Sequence, residues 1–335
     1  MSTILITGGC GFIGSNFVRY WLQQHSDFRV INLDLLTYAG NPENLRDCDN
    51  NSRYQFVKGD IADSKLIKEL LEEHAPDIIV NFAAESHNSR AIMSPGEFFR
   101  TNVLGTQTLL EAARQAKTPR FHHVSTCEVF GDLPLDSPDK FYEDSPYKPR
   151  TPYNASKAGA DHAVRAYYET FNLPVTISIC ANNYGPYQFP EKLIPHFTVR
   201  LMQNDAMPLY KSSRHTREWL HVEDHCKALE TVLLHGEIGE TYNIGSECEM
   251  DIEEVADRLL AIFGLDNSYK NYVPDRPGHD RRYLLCADKI RQKLGWDAEI
   301  DIENGFSDTV EWYRQNESWW RPLLDKMATD EKQWR

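Results

Sequence analysis

Ser2-Thr3-Ile4-Leu5-Ile6-Thr7-Gly8-Gly9-Cys10-Gly11-Phe12-Ile13-Gly14 is the stretch that decides the fold. Its apolar start reads as a buried strand. The glycines at 8, 11 and 14 permit a tight turn and let backbone N–H groups approach a pyrophosphate where a helix over 15–24 begins. Phe12 and Ile13 ride in the same turn. A second strand, Arg29-Val30-Ile31-Asn32-Leu33, ends on Asp34, twenty residues past Gly14. A carboxylate there would bond the adenosine ribose hydroxyls and repel a 2′-phosphate, favouring NAD over NADP. Glycines alone are a weak signal. Strand, glycines, helix, strand and acid in register make a strong one.

Further β-α units follow outward. Tyr54-Gln55-Phe56-Val57 leads to Gly59-Asp60-Ile61, where Asp60 either meets the adenine amino group or caps a helix over 62–74. A fourth strand over 77–84 ends in Ala83 and Ala84, small enough for a cofactor to come close. A helix over 102–114 precedes the strand Phe121 to Ser125, which delivers Thr126 to the carboxyl edge of the sheet, where open parallel sheets bind ligands. The predicted class is α/β. A doubly wound, parallel Rossmann-type sheet over 1–178 bears the reactive residues. A smaller mixed α/β substrate lobe over 179–335 interleaves with it.

Tyr153 and Lys157 sit four apart, so a helix places both on one face. A Lys ammonium beside a phenol favours phenolate, which predicts a lowered Tyr153 pKa and a general base for a sugar hydroxyl. Thr126 would hydrogen-bond the same hydroxyl. Tyr-x-x-x-Lys occurs often by chance; the dinucleotide fingerprint gives it meaning.

Composition narrows the partners. The 335 residues carry a formal charge of −14 with no basic block, which argues against nucleic acid. No apolar run reaches the roughly 18 residues of a membrane span. The chain runs straight into a strand without a charged leader, so the expectation is no signal peptide and a cytoplasmic location. Seven scattered Cys without a Cys-x-x-Cys pair argue for reduced thiols, and against a metal site or disulfides.

Longer motifs carry a family resemblance. Leu36-Thr37-Tyr38-Ala39-Gly40-Asn41, Ala83-Ala84-Glu85-Ser86-His87, Asn182 to Pro195, Arg217-Glu218-Trp219-Leu220, Asp275 to Tyr283, Trp312-Tyr313 and Trp319-Trp320 resemble the dTDP-glucose 4,6-dehydratases, extended short-chain dehydrogenases/reductases. The resemblance implies NAD, a nucleotide diphosphate-sugar between two lobes, and a homodimer through the helix bearing Tyr153 and its neighbour. It places Ser86, His87, Asn183, Lys192, Leu193, Arg217 and Arg282 at the substrate, with Pro208 and Tyr210 against the base. His279 reads equally as pocket lining and as a structural loop residue. Guanidinium forks suit a diphosphate. The implied cycle oxidises sugar carbon 4 through Tyr153, eliminates water across carbons 5 and 6, and returns the hydride to carbon 6.

The pattern also breaks. The family carries Thr-Asp-Glu where this chain has Thr126-Cys127-Glu128, so the base Glu128 stays while a thiol replaces the acid. After His87 the family's Val-Asp-Arg-Ser becomes Asn88-Ser89-Arg90-Ala91, Ile179 replaces an Arg, and Lys211-Ser212-Ser213 replaces Gly-Asp-Gly. Drift at the sugar with the cofactor motifs intact implies altered sugar chemistry or identity. The alternatives are a 5,6-dehydratase that makes an exocyclic alkene (UDP-GlcNAc type), a 4-epimerase or decarboxylase, and a catalytically silent NAD-binding regulator. The intact Thr126-Tyr153-Lys157 set argues against the last.

Overall fold

The computed structural model describes residues 1–275 and 280–327. Strands β1 (Ser2–Thr7), β2 (Phe28–Asp34), β3 (Tyr54–Lys58), β4 (Ile78–Asn81), β5 (Arg120–Thr126) and β6 (Val175–Cys180) lie parallel. The lobe strands follow: β7 (Asn182–Tyr184), β8 (Met207–Tyr210), β9 (Thr216–His221), β10 (Thr241–Ile244), β11 (Glu249–Asp251) and β12 (Lys270–Val273). Among the described residues the main sheet has seven strands in the order β10-β6-β5-β4-β1-β2-β3. Every residue of β4 and β6 is buried, as expected of a parallel sheet covered on both faces.

The chain after residue 178 does not stay in the smaller lobe. β10 returns to the large sheet and pairs parallel with β6, from Thr241 opposite Ile177 to Ile244 opposite Cys180. Ile179, placed by β6 at 0 % exposure, belongs to the core of the main sheet. A second core, which includes Tyr184, Phe197, Trp219, Leu259 and Phe306, belongs to the substrate lobe. Its helix Ile252–Phe263 starts with a capping box between Asp251 and Glu254, so two otherwise orphaned backbone donors are satisfied.

Two local expectations change. The helix placed over 62–74 starts at Ser64 and is capped by Asp63, whose carboxylate accepts from the Lys65 and Leu66 N–H groups. Asp60 instead turns the preceding loop by accepting from Ala62 N–H. The helix placed over 102–114 is a π-helical run, Phe99–Gly105, that continues as the α-helix Thr106–Ala116. Buried Asn102 lies in that wide turn, where its amide bridges the Glu85 backbone and Ser156 Oγ. Such bulges often mark functional ground.

β1 has β2 on one side and β4 on the other, so the winding reverses there. At that switch point the crevice at the carboxyl ends of the strands is the natural ligand site. The helix Pro152–Phe171, with Thr151 as N-cap and Pro152 in its first turn, crosses toward the same edge.

Candidate active site

One cleft of about 380 Å³ opens at the switch point. Gly8, Gly11, Phe12, Ile13 and Gly14 form one end. A Cβ on Gly14 would stand 2.3 Å from the Gly8 carbonyl oxygen, and one on Gly8, at φ +71°, would stand 2.7 Å from Ala83 N. Only glycine lets these backbones touch. The helix they open, Phe12–Gln24, has no side-chain cap, so its first N–H groups suit an anion. Asp34 closes the next side; its two oxygens accept from Cys10 N (2.9 Å) and Leu36 N (2.7 Å). Asp60, Ile61, Ala83 and Ala84 complete the wall, with Asp60 also paired to Arg100 at 2.6 Å. This shape and donor set fit a dinucleotide.

The reactive end lies where β5 and the helix Pro152–Phe171 converge. Thr126, Cys127, Glu128, Tyr153 and Lys157 all line the cleft. Tyr153 is 8 % exposed and hydrogen-bonds Thr126. Its phenol is not in the lowered range that a neighbouring ammonium predicts. Burial first, then the Glu128 charge, pushes it well above its ordinary value, with the Thr126 hydrogen bond working the other way. The reason is direction: the Lys157 ammonium donates to the Val124 carbonyl at 2.7 Å and stands 3.3 Å from His123 Nε2. Burial lowers the Lys157 pKa, opposed by the charge of buried Asp161. Asp161 is itself fixed by Ser125 Oγ at 2.7 Å and Tyr147 Oη at 2.9 Å.

Cys127 is 2 % exposed, and burial followed by the Glu128 charge pushes its thiol well above the ordinary value. It holds its proton. Glu128 accepts from Asn88 Nδ2 at 2.8 Å. Ala91 is fully buried against Tyr153 and Phe98.

The substrate side divides. Ser86, Asn183, Lys192 and Leu193 line the cleft; Lys192 Nζ reaches the Ser86 carbonyl at 3.4 Å, and Asn183 Oδ1 lies 3.0 Å from His225 Nδ1. His87 is not among the wall residues and lies 3.9 Å from Glu191. Pro208, Tyr210, Arg217 and Arg282 are not among the wall residues. Arg217 donates to the Asp280 and Arg281 carbonyls and stacks on Tyr283. The Arg282 fork is engaged by Glu249 at 2.6 and 2.7 Å, and by the Ser137 and Asp139 carbonyls. His279 lies outside the described residues.

Among the wall residues that sequence reading passed over are Tyr38, Glu191 and Trp319. Tyr38, whose ring lies 3.5 Å under the Arg90 guanidinium, donates to Glu191 at 2.9 Å. Trp319 donates through Nε1 to Asn44 Oδ1 at 2.8 Å. All three lie inside the family-like motifs, which was the available signal. Among the described residues no cluster of His, Cys, Asp or Glu could hold a metal ion, and no helix is long and apolar enough to cross a membrane.

A Gly-rich dinucleotide cradle joined to a Thr-Tyr-Lys set on one parallel sheet defines an extended short-chain dehydrogenase/reductase. The family model described as GDP-mannose 4,6 dehydratase matches residues 5–309, and the chain belongs to that family. It is 46% identical over 343 residues to a dTDP-glucose 4,6-dehydratase of Xanthomonas campestris pv. campestris, covering 97% of both chains. It is 47% identical to the dTDP-glucose 4,6-dehydratase of Streptomyces niveus, covering 96% of this chain and 95% of the relative. The crystal structure of DesIV, a dTDP-glucose 4,6-dehydratase from Streptomyces venezuelae with NAD and TYD bound, superposes with a TM-score of 0.92 at 47% identity, covering 96% and 99%. A UDP-glucose 4-epimerase from Thermotoga maritima superposes with a TM-score of 0.87 at 26% identity, covering 94% and 99%.

Proposed function

We propose that this chain is an NAD-dependent dTDP-glucose 4,6-dehydratase with an altered elimination site. The observation that carries this reading is convergence: Thr126, Glu128, Tyr153 and Lys157 share one cleft with the Gly8–Gly14 cradle and Asp34. Bound NAD would supply the hydride acceptor, and the positive charge of its oxidised nicotinamide would favour phenolate at Tyr153. Asp34, Asp60 and the glycine turn hold the cofactor, and Ala83 and Ala84 leave room for it. Asn183, Lys192 and Leu193 face the nucleotide diphosphate, with Ser86 and His87 on the sugar side.

Thr126 orients the carbon 4 hydroxyl, and Tyr153 takes its proton as hydride leaves carbon 4. The resulting ketone acidifies the hydrogen on carbon 5. Glu128 takes that proton, a double bond forms between carbons 5 and 6, and the carbon 6 hydroxyl departs. Because the Cys127 thiol is a poor acid, Glu128 hands the same proton to the departing group, so water leaves and the carboxylate is restored. The stored hydride then returns to carbon 6, and a proton adds at carbon 5. Glu128 has no task in an epimerase, which disfavours that alternative. Exposed Phe99 and Leu104 (44% and 51%), beside the helix Pro152–Phe171, support a homodimer formed there.

The test is incubation with dTDP- and UDP-linked glucose and N-acetylglucosamine in heavy water, with products read by mass and NMR. A dTDP-linked 4-keto-6-deoxyglucose, deuterated at carbon 5, is expected. Tyr153→Phe should lower its formation by ~10²–10⁴-fold, the usual worth of a general base, while NAD stays bound. No keto-deoxy product from dTDP-glucose, or full activity in Tyr153→Phe, refutes the reading.

A further inference from the structure

Asn88 stands where the dehydratases that the chain resembles carry Val, and it begins the short helix Asn88–Met93. Its amide faces two partners. Nδ2 donates to Glu128 Oε2 at 2.8 Å, and Oδ1 lies 2.6 Å from Thr151 Oγ1. The orientation is forced, because a carboxylate can only accept: the NH₂ must face Glu128, and the carbonyl then shares the single Thr151 proton with Asn154 Oδ1, 2.7 Å from Thr151 Oγ1. Thr151 is 7 % exposed and is the N-cap of the helix that carries Tyr153, accepting from Asn154 N–H at 3.2 Å. Asn154 continues toward Asp280 at 3.3 Å, and Asp280 receives the Tyr283 hydroxyl.

The elimination base is therefore tied through Asn88 to the N-cap of the helix that carries Tyr153, while the cap itself is made by Thr151 without Asn88. A carboxylate on a flexible two-carbon stem must be held near carbon 5, and small displacements of a catalytic group are costly. Thr126, its neighbour on β5, already accepts from the Glu128 N–H at 3.4 Å, which fixes the backbone but not the carboxylate. Beside the buried Cys127, the carboxylate finds in Asn88 a donor that adds no charge.

Resting on the dehydratase reading above, we propose that Asn88 is a positioning residue for elimination. It fixes the Glu128 carboxylate relative to the helix of Tyr153 and takes no part in hydride transfer. Removing it stalls the cycle after oxidation, with the cofactor reduced and the sugar still carrying its carbon 6 hydroxyl.

The experiment compares wild type, Asn88→Val, Asn88→Asp and Thr151→Ser under single-turnover conditions with dTDP-glucose in heavy water. Near-ultraviolet absorbance follows the reduced cofactor, and loss of water from the sugar, read by mass, follows elimination. Asn88→Val should slow elimination by ~10–10²-fold, the range for losing a hydrogen bond to a charged group. Cofactor reduction should stay within about twofold, so reduced cofactor accumulates. Asn88→Asp, with a second carboxylate facing Glu128, should be slower still, and Thr151→Ser, which keeps the hydroxyl, should behave as wild type. If reduction and elimination fall together in Asn88→Val, or neither changes, the assignment to Asn88 is overturned. Absence of the keto-deoxy product in the wild type as well overturns the dehydratase reading, and the role of Asn88 with it.

Discussion

Replacing Cys127 with Asp asks whether the departing hydroxyl lacks a proton donor. The site is 2 % exposed, and the Glu128 and Glu218 charges act on it together with burial, against the positive charge of Arg217. A carboxyl in this place meets the same surroundings, so its pKa rises. A rise toward neutrality is what makes a general acid effective, and burying a carboxyl that the unfolded chain ionises should leave the variant less stable than the wild type at neutral pH. Elimination should nevertheless accelerate by ~10–10²-fold, at the lower end of what general acid assistance supplies. The assay is a single turnover with dTDP-glucose, in which the rise of reduced cofactor reports oxidation and its decay reports elimination and hydride return. A folded, NAD-bearing Cys127→Asp in which the reduced cofactor decays no faster than in the wild type would refute the idea that proton supply limits this enzyme.

Two other perturbations test the architecture around the site. Trp319 lines the cleft and holds Asn44, whose amide donates to the Cys10 carbonyl in the glycine turn at 2.9 Å. Trp319→Ala should weaken NAD binding ~10-fold by equilibrium dialysis, as expected for losing an aromatic contact and one hydrogen bond, and an unchanged affinity would exclude the tail from the cofactor site. Glu218 is fully buried between the lobes and accepts from Leu285 N and Glu247 N, yet burial raises its pKa from 4.5 to about 7. The folded state thus keeps a proton that the unfolded chain releases. This contribution to stability is fully present below pH about 4.5 and lost as pH rises through about 7. The loss is about 3 kcal/mol at 1.36 kcal/mol per unit. Denaturant titrations across that window should show the decline in the wild type, and a flatter profile in Glu218→Gln.

The cofactor half was legible because its chemistry is local. Gly8, Gly11, Gly14 and Asp34 are fixed by the spacing of one β-α-β unit, where each residue's task follows from backbone geometry. The reactive half needed the fold. Thr126 and Tyr153 are 27 positions apart in sequence and meet only because β5 and the helix Pro152–Phe171 end at the same edge. Spacing showed that Lys157 shares a helix face with Tyr153, but could not show that its ammonium is turned to the Val124 carbonyl. It also could not show that burial and Glu128 outweigh it at the phenol. Contacts of greater separation left no periodic trace: Asn88 with Glu128, 40 positions away, and Trp319 with Asn44, 275 away. Asn88, Ala91 and Cys127, each read from the sequence as a departure from the family the chain resembles, touch Glu128, touch Tyr153, or line the cleft beside them in the structure. Ile179, read as another such departure, packs instead in the core of the main sheet, so it is the three that gather around Glu128 and Tyr153 that give a physical reason to seek what is different about this enzyme in the elimination step.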